Sequence, residues 1–186
     1  MSLEPWEKQS EEHVADMLVF DVLRTVSRSP RTGQDRRISL LRCANWVNVV
    51  AVTPQREVVL VRQYRHGTEE ITLEIPGGLI DPGESPRDAA VRELREETGH
   101  TGSGVLELGV VEPNPAIMDN RCFTYLVEGC TRTHELQMDA GEDIEVVVEP
   151  LAEIPRILRE GGIRHSLVVA GFWWLALRRP DLLPLA

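Results

Sequence analysis

Apolar and polar positions alternate with a period of two along much of the chain up to Pro150, which is the pattern of half-buried β-strands. Residues 18–28 and 37–43 flank the turn-rich segment SRSPRTGQD and predict an N-terminal β-hairpin. The segments WVNVVAVT, EVVLVRQYR and ITLEIPGG predict three further strands, and GVLELGVVEP, CFTYLVEGC and IEVVVEP predict three more. The pattern therefore predicts a chain rich in short strands.

Helical periodicity replaces the alternation in three places. Residues 86–98 follow Ser85, a favourable N-cap, and begin with Pro86, which suits the first helical position. They stop before Gly99, which favours the left-handed backbone that ends a helix. The segments LAEIPRILREG and RHSLVVAGFWWLALRR predict two C-terminal helices. Strands first, one helix in the middle and two helices at the end predict an α+β fold with a mixed β-sheet.

Length and charge narrow the classes of function. The 186 residues are enough for one domain with a sizeable core. A formal net charge of −10 disfavours nucleic acid and anionic membranes as partners, and no apolar run is long enough to span a bilayer. The three cysteines, Cys43, Cys122 and Cys130, lack CxxC spacing, and no secretory leader is readable. We expect a cytoplasmic protein with free thiols, and bound cations wherever it meets a phosphate.

The helix predicted at 86–98 carries two neighbouring stripes. The first is expected to pack on the sheet and consists of Ala90, Val91, Leu94 and Thr98. The second is acidic and consists of Glu93, Glu96 and Glu97. These carboxylates repel one another and lie at the helix end where the dipole disfavours anions. A solvated acidic face is one interpretation, and a site for a hard divalent cation such as Mg²⁺ is the other.

The spacing around these glutamates matches a longer motif. From Gly78 to Gly99 the chain reads Gly-x5-Glu-x7-Arg-Glu-Leu-x-Glu-Glu-x-Gly, which resembles the Nudix box of the Nudix hydrolases. The resemblance implies the Nudix fold, a mixed β-sheet sandwiched between helices, for residues 46–186. It implies that residues 1–45 are an N-terminal β-hairpin extension that joins two copies in a homodimer. The chain departs from the family at His100, where the family usually has an aliphatic residue, and a polar residue at this turn can face water.

The resemblance also implies a metal-dependent site. The implied ligands of Mg²⁺ or Mn²⁺ are the Gly77 carbonyl, Glu93, Glu96, Glu97 and, in the downstream segment AGEDIEVVV, Glu142. Glu145 in the same segment is the alternative to Glu142 and otherwise a strand residue. Arg92 would orient a glutamate through a charge-assisted hydrogen bond, and Glu84 would act through the same acidic network. The residues implied in catalysis are Glu84, Arg92, Glu96, Glu97 and Glu142.

Three features resemble the Nudix hydrolases that cleave ADP-ribose and other nucleoside diphosphate sugars. These are the wording EIPGGLIDPGE, the position of Pro115 sixteen residues beyond Gly99, and the segment AGEDIEVVV. The implied reaction is metal-dependent hydrolysis of the pyrophosphate bond, which gives a nucleoside monophosphate and a sugar phosphate. The alternatives are another Nudix pyrophosphatase activity, on a nucleoside triphosphate or a dinucleotide, and a non-catalytic domain that binds a nucleotide sugar.

Three residues are candidates for holding the nucleotide. Trp46 offers an indole face for stacking on a base, and packing in a core or an interface explains it equally well. Arg65 suits bidentate pairing with a phosphate, or an ion pair with the Glu69–Glu70 segment. Pro115 matches the proline of the ADP-ribose group or is a plain loop residue.

Overall fold

The computed structural model of the protein describes residues 3–138, 141 and 143–184. The chain falls into two compact units. The first contains the chain up to Ala44 together with Glu112–Arg121, and the second contains Asn45–Val111 together with the chain from Cys122 onward. No sequence pattern indicates that Glu112–Arg121 belongs with the N-terminal segment. The pairing of two copies through this segment stays a prediction.

The first unit is built on a three-stranded antiparallel sheet in the order β1-β2-β3. Its strands are β1 (Glu7–Met17), β2 (Phe20–Arg28) and β3 (Asp35–Cys43). The predicted hairpin corresponds to β2 and β3, which are paired along their whole length. The sequence pattern does not predict β1, because nearly all of its residues are exposed and its charged side chains form no apolar alternation.

The second unit is a mixed sheet with helices packed on it. Its elements are β4 (Trp46–Val52), β5 (Glu57–Arg65), β6 (Glu70–Glu74), α1 (Pro86–Thr98), β7 (His100–Thr101), β8 (Gly104–Val111), β9 (Cys122–Glu128), β10 (Thr131–Arg132), β11 (Ile144–Pro150), a 3-10 turn (Leu151–Glu153), α2 (Ile154–Arg159) and α3 (Ser166–Arg178). The six-stranded sheet has the order β11-β5-β4-β9-β8, with β6 paired to β5. β4 and β9 run parallel, and the other pairs of this sheet are antiparallel. The mixed sheet confirms the predicted α+β architecture.

Both faces of β4 are buried, which explains its nearly continuous apolar sequence. Val50 and Val52 belong to a core cluster that includes Phe172 of α3. Val49 and Ala51, which alternate with them in sequence, belong to a second cluster that includes Leu94 of α1. Because successive side chains of a strand point to opposite faces, the sheet is a middle layer with α1 on one side and α3 on the other.

The buried face of α1 includes three of the four predicted residues, Ala90, Leu94 and Thr98. Val91 is 37% exposed, whereas Ala89 is fully buried. The buried residues of the helix also include Glu93 and Glu97. The prediction for Val91 is wrong, because the buried face extends to these two carboxylates instead of Val91.

The sequence predicts free thiols and contains no apolar run long enough to span a membrane. The three cysteines are free, as predicted. Burial raises the pKa of the Cys122 and Cys130 thiols to about 12, so both are protonated and unreactive at neutral pH. In the part of the chain that the structure describes, no helix is long and apolar enough to cross a membrane.

The N-terminal cap of α1 can be tested by mutation. The Ser85 hydroxyl accepts a hydrogen bond from the Asp88 backbone N–H at 3.1 Å and donates one to the Asp88 carboxylate at 2.7 Å. Ser85→Ala should lower the free energy of unfolding by about 1 kcal/mol in urea denaturation, because the first turn loses its cap. Ser10→Ala, at an exposed position of β1, is the control and should leave stability unchanged. Equal losses in both variants would contradict the role of the cap.

Candidate functional site

The glycine segment, residues 76–79, has its backbone fixed between β4 and α1. The Val49 N–H donates to the carbonyl of Pro76 at 2.8 Å, and the Val47 N–H donates to the carbonyl of Gly78 at 2.9 Å. Between these two contacts, the Gly77 N–H donates to Oε2 of Glu97 on α1 at 3.0 Å. The backbone of Gly77 therefore lies directly beside the Glu97 carboxylate.

Close approach requires glycine at positions 77 and 78. A Cβ atom on Gly77 would lie 2.2 Å from the carbonyl oxygen of Val47, and a Cβ atom on Gly78 would lie 2.5 Å from Oε1 of Glu93. Both distances are far below van der Waals contact. Gly77 therefore allows this backbone to lie against β4, and Gly78 leaves room for the Glu93 carboxylate of α1.

Glu93 and Glu97 are buried rather than solvated, at 8% and 3% exposure. For these two residues the interpretation as a solvated acidic face is wrong. A buried carboxylate destabilises the fold unless it is hydrogen-bonded or neutralised. Glu97 accepts from Gly77, and Oε1 of Glu93 accepts from Nη1 of Arg92 at 2.9 Å. Each carboxylate thus has a fixed donor.

Arg92 forms hydrogen bonds to three carboxylates, those of Glu84, Glu93 and Glu96. Its Nε and Nη2 atoms donate to the two oxygens of Glu84 at 3.0 and 2.9 Å. Its Nη1 atom donates to Glu93 at 2.9 Å and to Glu96 at 3.2 Å, and Nη2 also donates to the Leu79 carbonyl at 2.9 Å. The hydrogen bonds from Arg92 lower the pKa of Glu84, and the same contact is the main cause that raises the pKa of Arg92. One guanidinium therefore holds three carboxylates in fixed positions.

The donor atoms of α1 and of the glycine segment are carboxylate oxygens and backbone carbonyls, which a hard divalent cation prefers as ligands. Among the described residues, however, no group of three or more His, Cys, Asp or Glu side chains is arranged to hold a metal ion. Glu96 accepts from Arg92 and from Arg95, the latter at 3.1 Å, and Glu142 lies outside the described residues. By donor type, the buried carboxylates and the glycine backbone fit a metal site. Its full ligand set stays a prediction.

Two of the candidates for nucleotide binding lie in the second unit. Trp46 is half-buried at the start of β4 and forms a backbone bridge with Leu79, which places it beside the glycine segment. Arg65 donates from Nε and Nη2 to the two oxygens of Glu74 at 2.8 and 2.7 Å. Arg65 therefore forms an ion pair, as the alternative interpretation implies, with Glu74 as a partner that the sequence did not indicate.

The remaining candidates, Pro115, Glu142 and Glu145, follow α1 in the sequence. Pro115 is exposed and belongs to the first unit. Glu145 lies on β11, exposed, and accepts a hydrogen bond from Arg62 on β5 at 3.3 Å, as its interpretation as a strand residue implies. Glu142, the preferred candidate, lies outside the described residues. The structure thus brings together Gly77, Glu84, Arg92, Glu93, Glu96 and Glu97.

His100 is buried, so the interpretation that it faces water is wrong. It is 8% exposed, and its Nδ1 atom lies 2.9 Å from the carbonyl oxygen of Thr98. Burial lowers the pKa of the imidazole, which keeps it neutral at neutral pH. The side chain fills the turn after α1 as an uncharged packing residue.

The segment after β10 covers the C-terminal end of α1. The N–H groups of Thr133 and His134 donate to the carbonyl of Gly99 at 2.9 and 3.0 Å, and the Gln137 N–H donates to the carbonyl of Glu96 at 2.9 Å. These contacts satisfy carbonyl groups that the helix leaves unpaired. No sequence pattern predicts this contact. The glycine at position 99 is consistent with this contact, because a Cβ atom there would lie 2.3 Å from the His134 carbonyl oxygen.

Comparison with known proteins identifies the family to which the chain belongs. The model of the NUDIX domain matches residues 44–168, and the chain belongs to the Nudix hydrolase family. An ADP-ribose pyrophosphatase from Mycobacterium tuberculosis is 30% identical over 173 residues, which are 92% of this chain and 83% of that protein. A methanol dehydrogenase activator from Bacillus methanolicus is 30% identical over 147 residues, which are 78% of this chain and 80% of that protein. A crystal structure described as an ADP compounds hydrolase has a TM-score of 0.85 and 26% identity, and covers 95% of both chains.

Glu84→Gln tests the Arg92 network through its pH dependence. The folded pKa of Glu84 lies below the ordinary value of about 4.3, so its ionised form stabilises the fold at neutral pH. That stabilisation is lost as the pH falls through the lowered folded pKa. The variant should lose about 1 kcal/mol of unfolding free energy at pH 7 in urea denaturation, and its difference from wild type should shrink below about pH 4.

The control for this comparison is Glu153→Gln. Glu153 also accepts from an arginine, Arg156 at 2.8 Å, but its side chain is 44% exposed. An exposed pair of this kind contributes little to stability. A loss in Glu84→Gln that matches the control, or that does not change with pH, would contradict the network.

Proposed function

We propose that this protein hydrolyses the pyrophosphate bond of ADP-ribose or a related nucleoside diphosphate sugar, with Mg²⁺ or Mn²⁺ as cofactor. The products are a nucleoside monophosphate and a sugar phosphate. The observation that carries the proposal is the burial of Glu93 and Glu97 against the backbone of Gly77 and Gly78. Relatives named as hydrolases of ADP-ribose and of ADP compounds support it.

The carboxylates of α1 beside the glycine segment are the ligands that we assign to the cation. Glu93, Glu97 and the carbonyl of Gly77 would hold it, with Glu96 and Glu142 completing the set. When bound, the cation neutralises the pyrophosphate and lowers the pKa of an attacking water. A chain with a formal net charge of −10 needs such a cation to bind a substrate that is itself an anion.

The protein's own residues position this chemistry. Arg92 fixes Glu84, Glu93 and Glu96 through its hydrogen bonds, so the carboxylate oxygens are held in place before substrate arrives. Proton transfer from the attacking water requires a nearby carboxylate oxygen. The resemblance implies Glu142 either as a further ligand or as a group that assists the base in this step.

The substrate-binding roles follow from placement. Trp46, beside Leu79 of the glycine segment, is the proposed stacking surface for the base. Arg65 is the proposed partner of a phosphate oxygen. Pro115 marks the loop that the ADP-ribose group uses. We also propose that two copies pair and that the protein works in the cytoplasm.

A substrate panel with ³¹P NMR detection tests the proposal. With Mg²⁺ present, wild type should convert ADP-ribose to AMP and ribose 5-phosphate in equal amounts. Glu97→Gln should lower kcat by about 100-fold or more, because it removes a buried anionic oxygen that faces the Gly77 backbone.

The panel also contains other nucleoside diphosphate sugars, dinucleotides and nucleoside triphosphates, which separates the two pyrophosphatase alternatives. Glu153→Gln, an exposed carboxylate on the 3-10 turn, is the control and should keep the wild-type rate. No cleavage of any compound with the metal present, or a wild-type rate in Glu97→Gln, would overturn the catalytic role and leave a binding domain.

A further inference from the structure

The side chain of Arg65 does not point to the residue opposite it in the sheet. In the register of β5 and β6, Arg65 is paired with Glu70. Its guanidinium instead donates two hydrogen bonds to Glu74, four positions further along β6. The charged group is thereby carried towards the end of β6, which leads through Ile75 and Pro76 into the glycine segment of the proposed active site.

Glu74 is an unusual partner because it is buried. It is 2% exposed, and Oε1 also accepts a hydrogen bond from the Thr72 hydroxyl at 2.6 Å. Burial acts to raise the pKa of this carboxyl, and the hydrogen bonds from Arg65 and Thr72 outweigh it, so the pKa is lowered and the group is ionised. The carboxylate is thus an immobile anion inside the fold, whereas the Arg65 side chain is 42% exposed.

Another bidentate arginine–glutamate pair in the same unit has an exposed carboxylate instead of a buried one. Arg179 donates from Nη1 and Nη2 to the two oxygens of Glu128 at 2.6 and 3.1 Å, and this Glu128 side chain is 41% exposed. Stability does not require a buried acid in such a pair, since burying an ion costs more than its partner returns in many cases. What a buried carboxylate adds is a fixed orientation of the exposed guanidinium.

His165, the residue before α3, is half-buried in the field of the same pair. Burial is the main cause that lowers the pKa of its imidazole, while the charge of Glu74 raises this pKa and that of Arg65 lowers it. Its Nδ1 atom is buried and has no hydrogen-bond partner among the described residues.

We propose that Glu74 is a positioning residue that fixes the Arg65 guanidinium for an anionic oxygen of the substrate. This inference rests on the proposed function and on the assignment of Arg65 to the substrate phosphate. Glu74 itself does not touch the substrate. It acts by holding the planar fork of Arg65 in one orientation, so that binding does not have to order a flexible side chain. Thr72 supports Glu74 through its hydroxyl.

A double-mutant cycle on the ADP-ribose reaction tests the proposal. In Glu74→Gln, KM should rise about tenfold or more while kcat stays within about threefold of wild type, because ground-state binding is weakened. Arg65→Ala should raise KM at least as much. In the Arg65→Ala background, Glu74→Gln should raise KM no further, since Glu74 acts only through Arg65. Additive effects on KM would overturn the proposal.

Two further variants separate positioning from folding. Thr72→Val keeps the carboxylate and removes one of its donors, and it should raise KM by about two- to fivefold. Glu128→Gln makes the same substitution in the exposed pair with Arg179 and should leave KM unchanged. A wild-type KM in Glu74→Gln and Thr72→Val, or an equal rise in Glu128→Gln, would overturn the positioning role.

Wild type itself distinguishes the two proposals. If it cleaves no nucleoside diphosphate sugar, the proposed function fails and the role of Glu74 fails with it. If it cleaves ADP-ribose and the variants at positions 74 and 72 have the wild-type KM, the role of Glu74 alone fails.

Discussion

The contact between α1 and the segment that follows β6 is the interaction on which the rest of the site depends. The Gly77 N–H donates to Glu97, and a Cβ atom on Gly78 would lie 2.5 Å from Oε1 of Glu93. This approach buries two carboxylates that would repel each other on a solvated helix. The fold tolerates them because backbone N–H and guanidinium donors are already in place when the helix packs.

Arg92 holds the carboxylates in defined positions in addition to offsetting their charge. A guanidinium offers donors on two edges, and here one edge serves Glu84 while Nη1 serves Glu93 and Glu96. A lysine at this position would supply the charge without the planar geometry. The carboxylates are therefore organised in advance of any cation, which is what a site for phosphate chemistry requires. A second arginine of the same unit, Arg65, donates two hydrogen bonds to the buried carboxylate of Glu74.

The sequence predicts those parts of this architecture that depend on local signals. α1 begins and ends where Ser85, Pro86 and Gly99 indicate, because caps act over a single turn. β1 escapes prediction because it pairs through its backbone and buries almost no side chain. Contacts between distant segments leave little trace in a pattern. The cover that residues 133–137 form over α1 and the partner of Arg65 belong to this kind.

Position 91 shows why helical periodicity alone does not identify every buried position of α1. Val91 is apolar and Glu93 is charged, so periodicity assigns Val91 to the core. The structure reverses the assignment because Glu93 has a donor in Arg92 and a glycine opposite it. His100 is likewise buried because its Nδ1 lies at the Thr98 carbonyl. Hydrogen-bond partners decide both positions, and a sequence does not display them.

The binding of Mn²⁺, measured by electron paramagnetic resonance, tests most directly whether this close approach builds a metal site. Wild type should bind Mn²⁺, and Gly78→Ala should bind it at least about tenfold more weakly, because the added methyl group displaces the Glu93 carboxylate. Gly67→Ala is the control and should bind as wild type does, since a Cβ atom at Gly67 meets nothing within 4 Å. Equal Mn²⁺ affinity in all three proteins, or no binding by wild type, would contradict the account.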